Sequence, residues 1–188
     1  MRKEIEYESK NLLTEEEFFT LLQAYEFPTE KIEQTNYYFD TAKKHLHKNK
    51  CALRIRLINK QYTLTYKEPY RDGTLELHET LSKADAEKWL NNNFNQTNKI
   101  VSHLKQNNFP INQLNYLGEL TTTRFQLARE HVTLFLDKSS YNNQQDFEIE
   151  VEAESSSMAH SFLIDILNTY HIRKRDAVPK IIRFLETR

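Results

Sequence analysis

The run Glu4-Ile5-Glu6-Tyr7-Glu8-Ser9-Lys10 places an ionisable side chain at every second position. On a strand, residues two apart point to the same side, so three carboxylates and an ammonium share one face. Carboxylates about 7 Å apart repel by roughly 2 kcal/mol at an effective dielectric near 20. On a solvated edge strand, water and salt screen that cost; elsewhere, such a face is a surface waiting for a cation. Carboxylate oxygens suit hard cations, and Mg²⁺ or Mn²⁺ commonly binds through a few of them together with water and phosphate oxygens.

The same alternation recurs along the chain. Glu148, Glu150 and Glu152 alternate with Phe147, Ile149 and Val151, and Arg54 and Arg56 with Leu53, Ile55 and Leu57. Thr63, Thr65 and Lys67 oppose Tyr62, Leu64 and Tyr66, while Glu76 and His78 alternate with Leu75 and Leu77. Thr122, Arg124 and Gln126 follow the pattern less cleanly against Phe125 and Leu127. An antiparallel sheet with one wet face accounts for alternation alone. It does not account for sorting by strand, because a merely solvated surface intersperses its signs. Here the first strand and the Glu148 strand are acidic, and the Arg54 strand is basic. If the sheet closes, the apolar faces meet external helices and the charged faces line the inside. Such an interior suits a metal-bound polyanion, held by bidentate arginine contacts.

Composition narrows the classes. The chain has 188 residues, 38% hydrophobic and 12% aromatic, which suits a single domain with a substantial core. With 26 Lys+Arg against 27 Asp+Glu, overall charge drives binding to neither nucleic acid nor a membrane surface. Cys51 is the only cysteine, so an intrachain disulfide and a cysteine-rich zinc site are excluded. No apolar run approaches the roughly 20 residues that span a bilayer, and the N-terminus lacks a signal-peptide core. A cytoplasmic protein is the expectation. Gly73 and Gly118 are the only glycines, so the glycine-rich loops that cradle phosphates are absent and any phosphate must be held by side chains.

The elements that position these residues follow from local signals. Thr14 with Glu17 forms a capping box ahead of Phe18, Leu21, Leu22 and Tyr25 at helical spacing, closed by Pro28. IEQTNYYFDT reads as a strand, TAKKHLHKN as a turn or short helix, and CALRIRLI and YTLTYKE as a hairpin about Asn59, Lys60 and Gln61. A turn at Arg71-Asp72-Gly73 leads to the strand TLELHETL, and Ser82 caps a helix over SKADAEKWLNNNF. An Asn-rich loop and a helix over KIVSHLKQNN follow, and YLGELTTTRFQLARE, HVTLFLDKSS and DFEIEVEAES are strands, the last two joined by a turn at Asn142 to Gln145. SSMAHSFLIDILNTYHI is helical, and Pro179 opens a short final helix at its first turn. Strands outnumber helices and mostly follow one another. The expectation is one α+β domain over residues 1–188: a closed antiparallel barrel with helices packed outside, its outward faces, with Ile5, Ile55 and Ile149, meeting those helices.

Glu6-Tyr7-Glu8-Ser9-Lys10 is an ExExK signature, and an ordered series follows it: YYFDT (Tyr37 to Thr41), LRIR, LTYK, the strand carrying Glu76 and Glu79, GELTTTR, LDKSSY, EIEVE and a final PK helix. Nearly end to end, the chain resembles the CYTH superfamily, the triphosphate tunnel metalloenzymes, and its small single-domain bacterial branch in particular. The resemblance implies an eight-stranded antiparallel tunnel lined with charge. It implies Mg²⁺ or Mn²⁺ at Glu6 and Glu8, with Glu150 and Glu152 facing them. Glu148 shares their face and leaves the register open, and Asp137 resembles a further acidic position near the metal. Lys10, Arg54, Arg56, Lys67, Arg124 and Lys180 resemble phosphate-binding cations, with Glu6, Glu8, Lys10 and Arg56 closest to catalysis. The implied function is a metal-dependent triphosphatase acting on inorganic triphosphate or a related linear triphosphate. Adenylate cyclase and thiamine triphosphatase are the alternatives within the family, and a non-catalytic polyphosphate- or nucleotide-binding module lies outside it. The partner is a small triphosphate-containing molecule, with neither nucleic acid nor membrane implied.

Other residues are read as bystanders. His45 and His47 share a strand-like spacing in a lysine-rich turn without partner ligands, Cys51 has no partner base, and Trp89 is a packing residue.

Overall fold

A computed structural model describes residues 1–94 and 98–187. The Asn-rich loop expected after the third helix falls partly on residues 95–97, outside the described residues. The strands are β1 (Arg2–Leu13), β2 (Ile32–Thr41), β3 (Ala52–Ile58), β4 (Gln61–Tyr70), β5 (Gly73–Leu81), β6 (Leu114–Ala128), β7 (Val132–Tyr141) and β8 (Gln144–Ala153). The helices are α1 (Glu15–Ala24), α2 (His45–Lys48), α3 (Lys83–Leu90), α4 (Lys99–Gln106), α5 (Ser156–Thr169) and α6 (Lys180–Glu186). The strands hydrogen-bond as a closed barrel in the order β1-β5-β4-β3-β2-β6-β7-β8, the antiparallel α+β class the alternation predicts. The chain divides into two compact units, Met1–Ile5 with Gln34–Leu120 and Glu6–Glu33 with Thr121–Arg188.

In the first unit, β2 to β5 present one face to α3 and α4. Phe39, Leu53, Ile55, Leu64 and Leu77 bury against Trp89, Ile100 and Leu104, so Trp89 is a packing residue as expected. Asn59 and Lys60 turn the β3–β4 hairpin with φ of 47° and 65°, the pair of positive values that matches strand twist. Asp40 explains part of the YYFDT segment. Its buried carboxylate accepts N–H bonds from Thr41 (2.7 Å), Leu46 (3.0 Å) and His47 (3.0 Å). It supplies from β2 the cap that Lys44, at the N-cap of α2, does not. Glu79 similarly accepts from Lys99 and Ile100 at the start of α4.

In the second unit, α1 and α5 cover β7 and β8 through Phe18, Leu21, Leu163 and Ile166 against Leu134 and Ile149. Thr14 and Glu17 form the predicted capping box. Asn142 and Asn143, with φ of 46° and 60°, make the tight β7–β8 turn, so the connection is two residues rather than the four expected.

Two further expectations are corrected. Ile55 and Ile149 are buried, but Ile5 is 44% exposed and belongs to neither core cluster. Residues 1–4 are exposed as well, so β1 begins beyond the ground its unit's helices cover, a limit that alternation does not encode. Pro179 is the N-cap of α6, with ψ of 141°, not a residue of its first turn. That extended ψ makes Lys180 the first helical residue.

Candidate functional site

In the second unit, β1 and β8 pair so that Glu8 lies opposite Glu152, Lys10 opposite Glu150 and Leu12 opposite Glu148. One oxygen from each of Glu6, Glu8 and Glu152 lies within 4.8 Å of the other two. Lys10 Nζ sits 2.8 Å from Glu8 and 3.6 Å from Glu150. Burial pushes the Glu152 carboxyl up to about 7, and the neighbouring Glu6, Glu150 and Glu8 charges add to the shift. Burial of Lys10 favours its neutral form, but Glu8, Glu150 and Glu148 outweigh it and hold the ammonium charged.

A second acidic cluster lies deeper along β7 and β8. Carboxylate oxygens of Asp137, Glu148 and Glu150 also lie within 4.8 Å of one another, and all three residues are buried. This cluster carries its own cations. Arg124 binds Asp137 through both Nε (2.7 Å) and Nη2 (2.6 Å), bonds Glu150 as well, and stacks 4.2 Å over Phe135. Lys180 Nζ contacts Asp137 (2.8 Å), Glu150 (2.9 Å) and Glu148. Despite burial, Lys180 and Arg124 hold Asp137 below the ordinary carboxyl range, and Lys180, Arg124 and Lys10 hold Glu150 well below it.

The segment that delivers Lys180 is anchored by residues with no obvious sequence signature. Buried Asn11 donates to the Arg173 carbonyl (3.1 Å) and accepts from the Arg175 N–H (2.6 Å). Arg175 makes a two-pronged contact with Glu17 at 2.7 and 3.0 Å. Arg183 bonds Asp146 (2.9 Å) and Glu148, locking α6 one turn beyond Lys180.

The first unit holds the remaining expected cations, Arg54, Arg56 and Lys67. Arg54 and Arg56 project from β3 on the face opposite its apolar core, in register with Tyr38 and Asn36 of β2. Arg56 Nε donates to Asn36 Oδ1 at 3.0 Å. Lys67 pairs with buried Glu76 directly across the β4–β5 ladder, and His78 Nε2 lies 3.4 Å from Glu76. Three further donors face this surface without a hydrogen-bond acceptor among the described residues: Arg54 Nε, Asn36 Nδ2 and Gln34 Nε2. Donors buried without acceptors are costly, and a surface of donors fits a ligand made of acceptors.

The two acidic clusters differ in their fitness for a metal. At 4.8 Å, two carboxylates repel by about 3 kcal/mol at an effective dielectric near 20. In Glu6, Glu8 and Glu152 that repulsion is met by Lys10 on one side; burial, with the neighbouring carboxylates, raises Glu152, as burial also raises Glu148 in the other cluster. In Asp137, Glu148 and Glu150 it is already offset by Lys180, Arg124 and Arg183. The donor chemistry of the Glu6, Glu8 and Glu152 triad fits a hard divalent cation.

Residues 4–185 match the CYTH domain. The chain belongs to the CYTH family. It is 36% identical to "Putative triphosphatase YjbK" of Bacillus subtilis over 99% of this chain and 97% of that protein. A solved structure from Bacillus halodurans, described as a putative adenylate cyclase, superposes with a TM-score of 0.91 at 36% identity, covering 98% of this chain and 99% of its own. HpAC1 of Hippeastrum, described as a putative adenylyl cyclase with a dominant triphosphatase activity, shares the fold with a TM-score of 0.74 at 20% identity, covering 97% and 95% of the two chains. In this CYTH chain, Glu6, Glu8, Lys10, Arg124, Asp137, Glu148, Glu150, Glu152 and Lys180 gather within one unit, and Arg54, Arg56 and Lys67 lie in the other. The carboxylate register left open by the sequence divides as Glu152 with Glu6 and Glu8, and Glu148 and Glu150 with Asp137.

Proposed function

We propose that this CYTH domain, spanning the chain as a single functional unit, is a divalent-metal-dependent triphosphatase of the cytoplasm that hydrolyses inorganic triphosphate or a related linear triphosphate. The observation that carries the reading is the triad of Glu6, Glu8 and Glu152, whose oxygens lie within 4.8 Å of one another beside Lys10. Family membership and the name carried by the Bacillus subtilis relative support it.

Glu6, Glu8 and Glu152 would hold Mg²⁺ or Mn²⁺, with Asp137, Glu148 and Glu150 as a further acidic set near it. A bound divalent ion supplies charge neutralisation on phosphoryl oxygens and acidifies bound water. The protein's own residues supply the rest. Lys10, kept charged by its carboxylate neighbours, offsets negative charge at a phosphate oxygen. Arg54, Arg56 and Lys67 bind the phosphate chain through charge-assisted bonds, and Arg56 acts on the group undergoing transfer. Arg124 and Lys180 reach phosphate only by sharing the carboxylates they now bind, so their role couples substrate charge to the acidic cluster. With a carboxylate accepting its proton, water attacks the terminal phosphorus, and orthophosphate and pyrophosphate are the products of inorganic triphosphate.

The Bacillus halodurans structure, at 36% identity, carries a cyclase description, which makes cyclisation of ATP the second reading. In that reaction the ribose 3′-hydroxyl replaces water, attacks the α-phosphorus and expels pyrophosphate. The deciding experiment supplies inorganic triphosphate, ATP and thiamine triphosphate with Mg²⁺ or Mn²⁺, and scores orthophosphate and cyclic nucleotide separately. Orthophosphate from triphosphate supports the triphosphatase. Cyclic AMP as the main product overturns it, and binding without turnover points to a non-catalytic module.

A further inference from the structure

Asn36 and Gln34 stand two residues apart on β2, on the face opposite its apolar Phe39 side, and are only 1% and 2% exposed. Buried primary amides ordinarily spend their donors within the protein. Here the orientation of Asn36 is fixed from outside: Arg56 Nε–H can only donate, so the oxygen of Asn36 must face it. The amide nitrogen therefore points away from Arg56, and it has no acceptor among the described residues. Gln34 Nε2, further along the same face, and Arg54 Nε, two residues from Arg56 on β3, are in the same condition. These three donors lack only an acceptor.

We propose that Asn36 and Gln34 are substrate-contacting residues whose side-chain amides donate to phosphate oxygens of the anion held by Arg54 and Arg56. The inference rests on the triphosphate reading and extends it from charged to neutral donors. A phosphate chain presents many acceptor oxygens and at most one or two protons near neutral pH, so it satisfies this set more completely than water, which offers donors and acceptors equally. Neutral amides add less to the attraction for an anion than the guanidinium groups of Arg54 and Arg56, about the strength of one hydrogen bond to a charged group each. They fix which oxygen lies where, and so act on orientation. Asn36 has a second task, because the oxygen that receives Arg56 Nε sets the direction of that guanidinium.

The test measures binding apart from turnover, using the imido analogue of triphosphate in chelator and again with Mg²⁺. Gln34→Met keeps the length of the side chain and removes the donors. Asn36→Asp keeps the oxygen facing Arg56 and replaces the donor with a carboxylate oxygen. Gln34→Met is expected to bind the analogue about tenfold more weakly, the scale of a hydrogen bond to a charged group, with an unchanged thermal midpoint; Asn36→Asp, which also sets a like charge beside the anion, is expected to lose more. For Gln34→Met, the loss should persist from low to high salt, because no charge has been removed. A packing role alone would shift the midpoint and leave the affinity unchanged. Wild-type affinity in a folded Gln34→Met protein overturns the proposal, even if Asn36→Asp does not fold. A wild-type protein that binds the analogue but hydrolyses no triphosphate refutes the triphosphatase reading while this comparison still decides the donors. A wild-type protein that fails to bind the analogue overturns both.

Discussion

Glu8 and Glu152 lie directly opposite each other across the β1–β8 ladder, like charges on a rung where opposite charges are favoured. The next charged rung pairs Lys10 with Glu150, so the ladder itself tolerates ion pairing. Replacing either glutamate with glutamine removes repulsion while nearly preserving volume. Metal-free Glu152→Gln is expected to be as stable as the wild type or more stable by about 1 kcal/mol, whereas Glu8→Gln also gives up the 2.8 Å ion pair with Lys10 and should gain less. Their Mg²⁺- or Mn²⁺-dependent turnover should fall by at least the roughly 10–100-fold that losing a ligand's supporting partner costs. Thermal melts in chelator and phosphate release across a metal titration check both halves. Full activity in Glu6→Gln and Glu8→Gln, or in chelator, removes these residues from the metal site.

The same crowding sets a pH dependence. Glu152 titrates near 7, above the ordinary value of 4.5. Between those values the folded chain holds a proton that the unfolded chain has released. Its contribution to metal-free stability is therefore present at low pH and lost as pH rises towards 7, by up to about 1.4 kcal/mol per pH unit. Metal binding requires the proton to leave, so Mg²⁺ affinity should weaken by up to about tenfold per unit below pH 7. Melts of the wild type and Glu152→Gln at pH 5 and pH 8 isolate this group, and the variant should lack the wild type's alkaline loss. An identical pH response in the two proteins would assign the effect elsewhere.

Arg124 and Asp137 form a two-pronged pair whose carboxylate is fully buried. Arg124→Ala leaves that charge with Lys180 as its remaining close cation and should cost about 3–5 kcal/mol. Arg124→Lys should recover only part of the loss, because an ammonium cannot reproduce the planar fork. Denaturant unfolding of the three proteins measures this. Equal stability for Arg124→Lys and the wild type would show that charge alone suffices.

Alternation on β1, β3, β4 and β8 was legible because strand geometry writes directly into sequence: Glu6 and Glu8, or Arg54 and Arg56, share a face whatever the fold. The same rule applied to Gln34, Asn36, Tyr38 and Asp40 in IEQTNYYFDT, yet uncharged amides on a strand carry no signal of their own. Burial, the Arg56 contact and an amide nitrogen without an acceptor among the described residues distinguish Asn36 from an ordinary polar residue. The division of Glu148, Glu150 and Glu152 between two clusters was equally hidden. It depends on the β1–β8 register, and a period of two is satisfied by every shift of two residues. Asn11 and Arg175, which tether the segment before Lys180, are more than 160 positions apart, a contact no local pattern records. Ile5 shows the converse limit, since alternation assigns a face but not the length of strand that helices cover.

Arg56 provides the last prediction, because it is the basic residue whose orientation the structure specifies through Asn36. In the proposed reaction it contacts phosphate, and a hydrogen bond to a charged group contributes about 1.5–3 kcal/mol. Arg56→Ala should therefore lower kcat/KM for inorganic triphosphate by roughly 10–150-fold. Arg56→Lys should restore charge without the fork and recover only part of that loss. Arg54, Arg56 and Lys67 read phosphate charge and spacing, so the wild type should cleave inorganic triphosphate with a higher kcat/KM than ATP, whose nucleoside must be accommodated as well. If Arg56 acts on the group undergoing transfer, its loss should lower kcat; if it only holds the chain, KM alone should rise. Steady-state kinetics of the three proteins on triphosphate and ATP, with products identified, distinguish these outcomes. A preference for ATP that survives Arg56→Ala would mean that something other than phosphate charge selects the substrate.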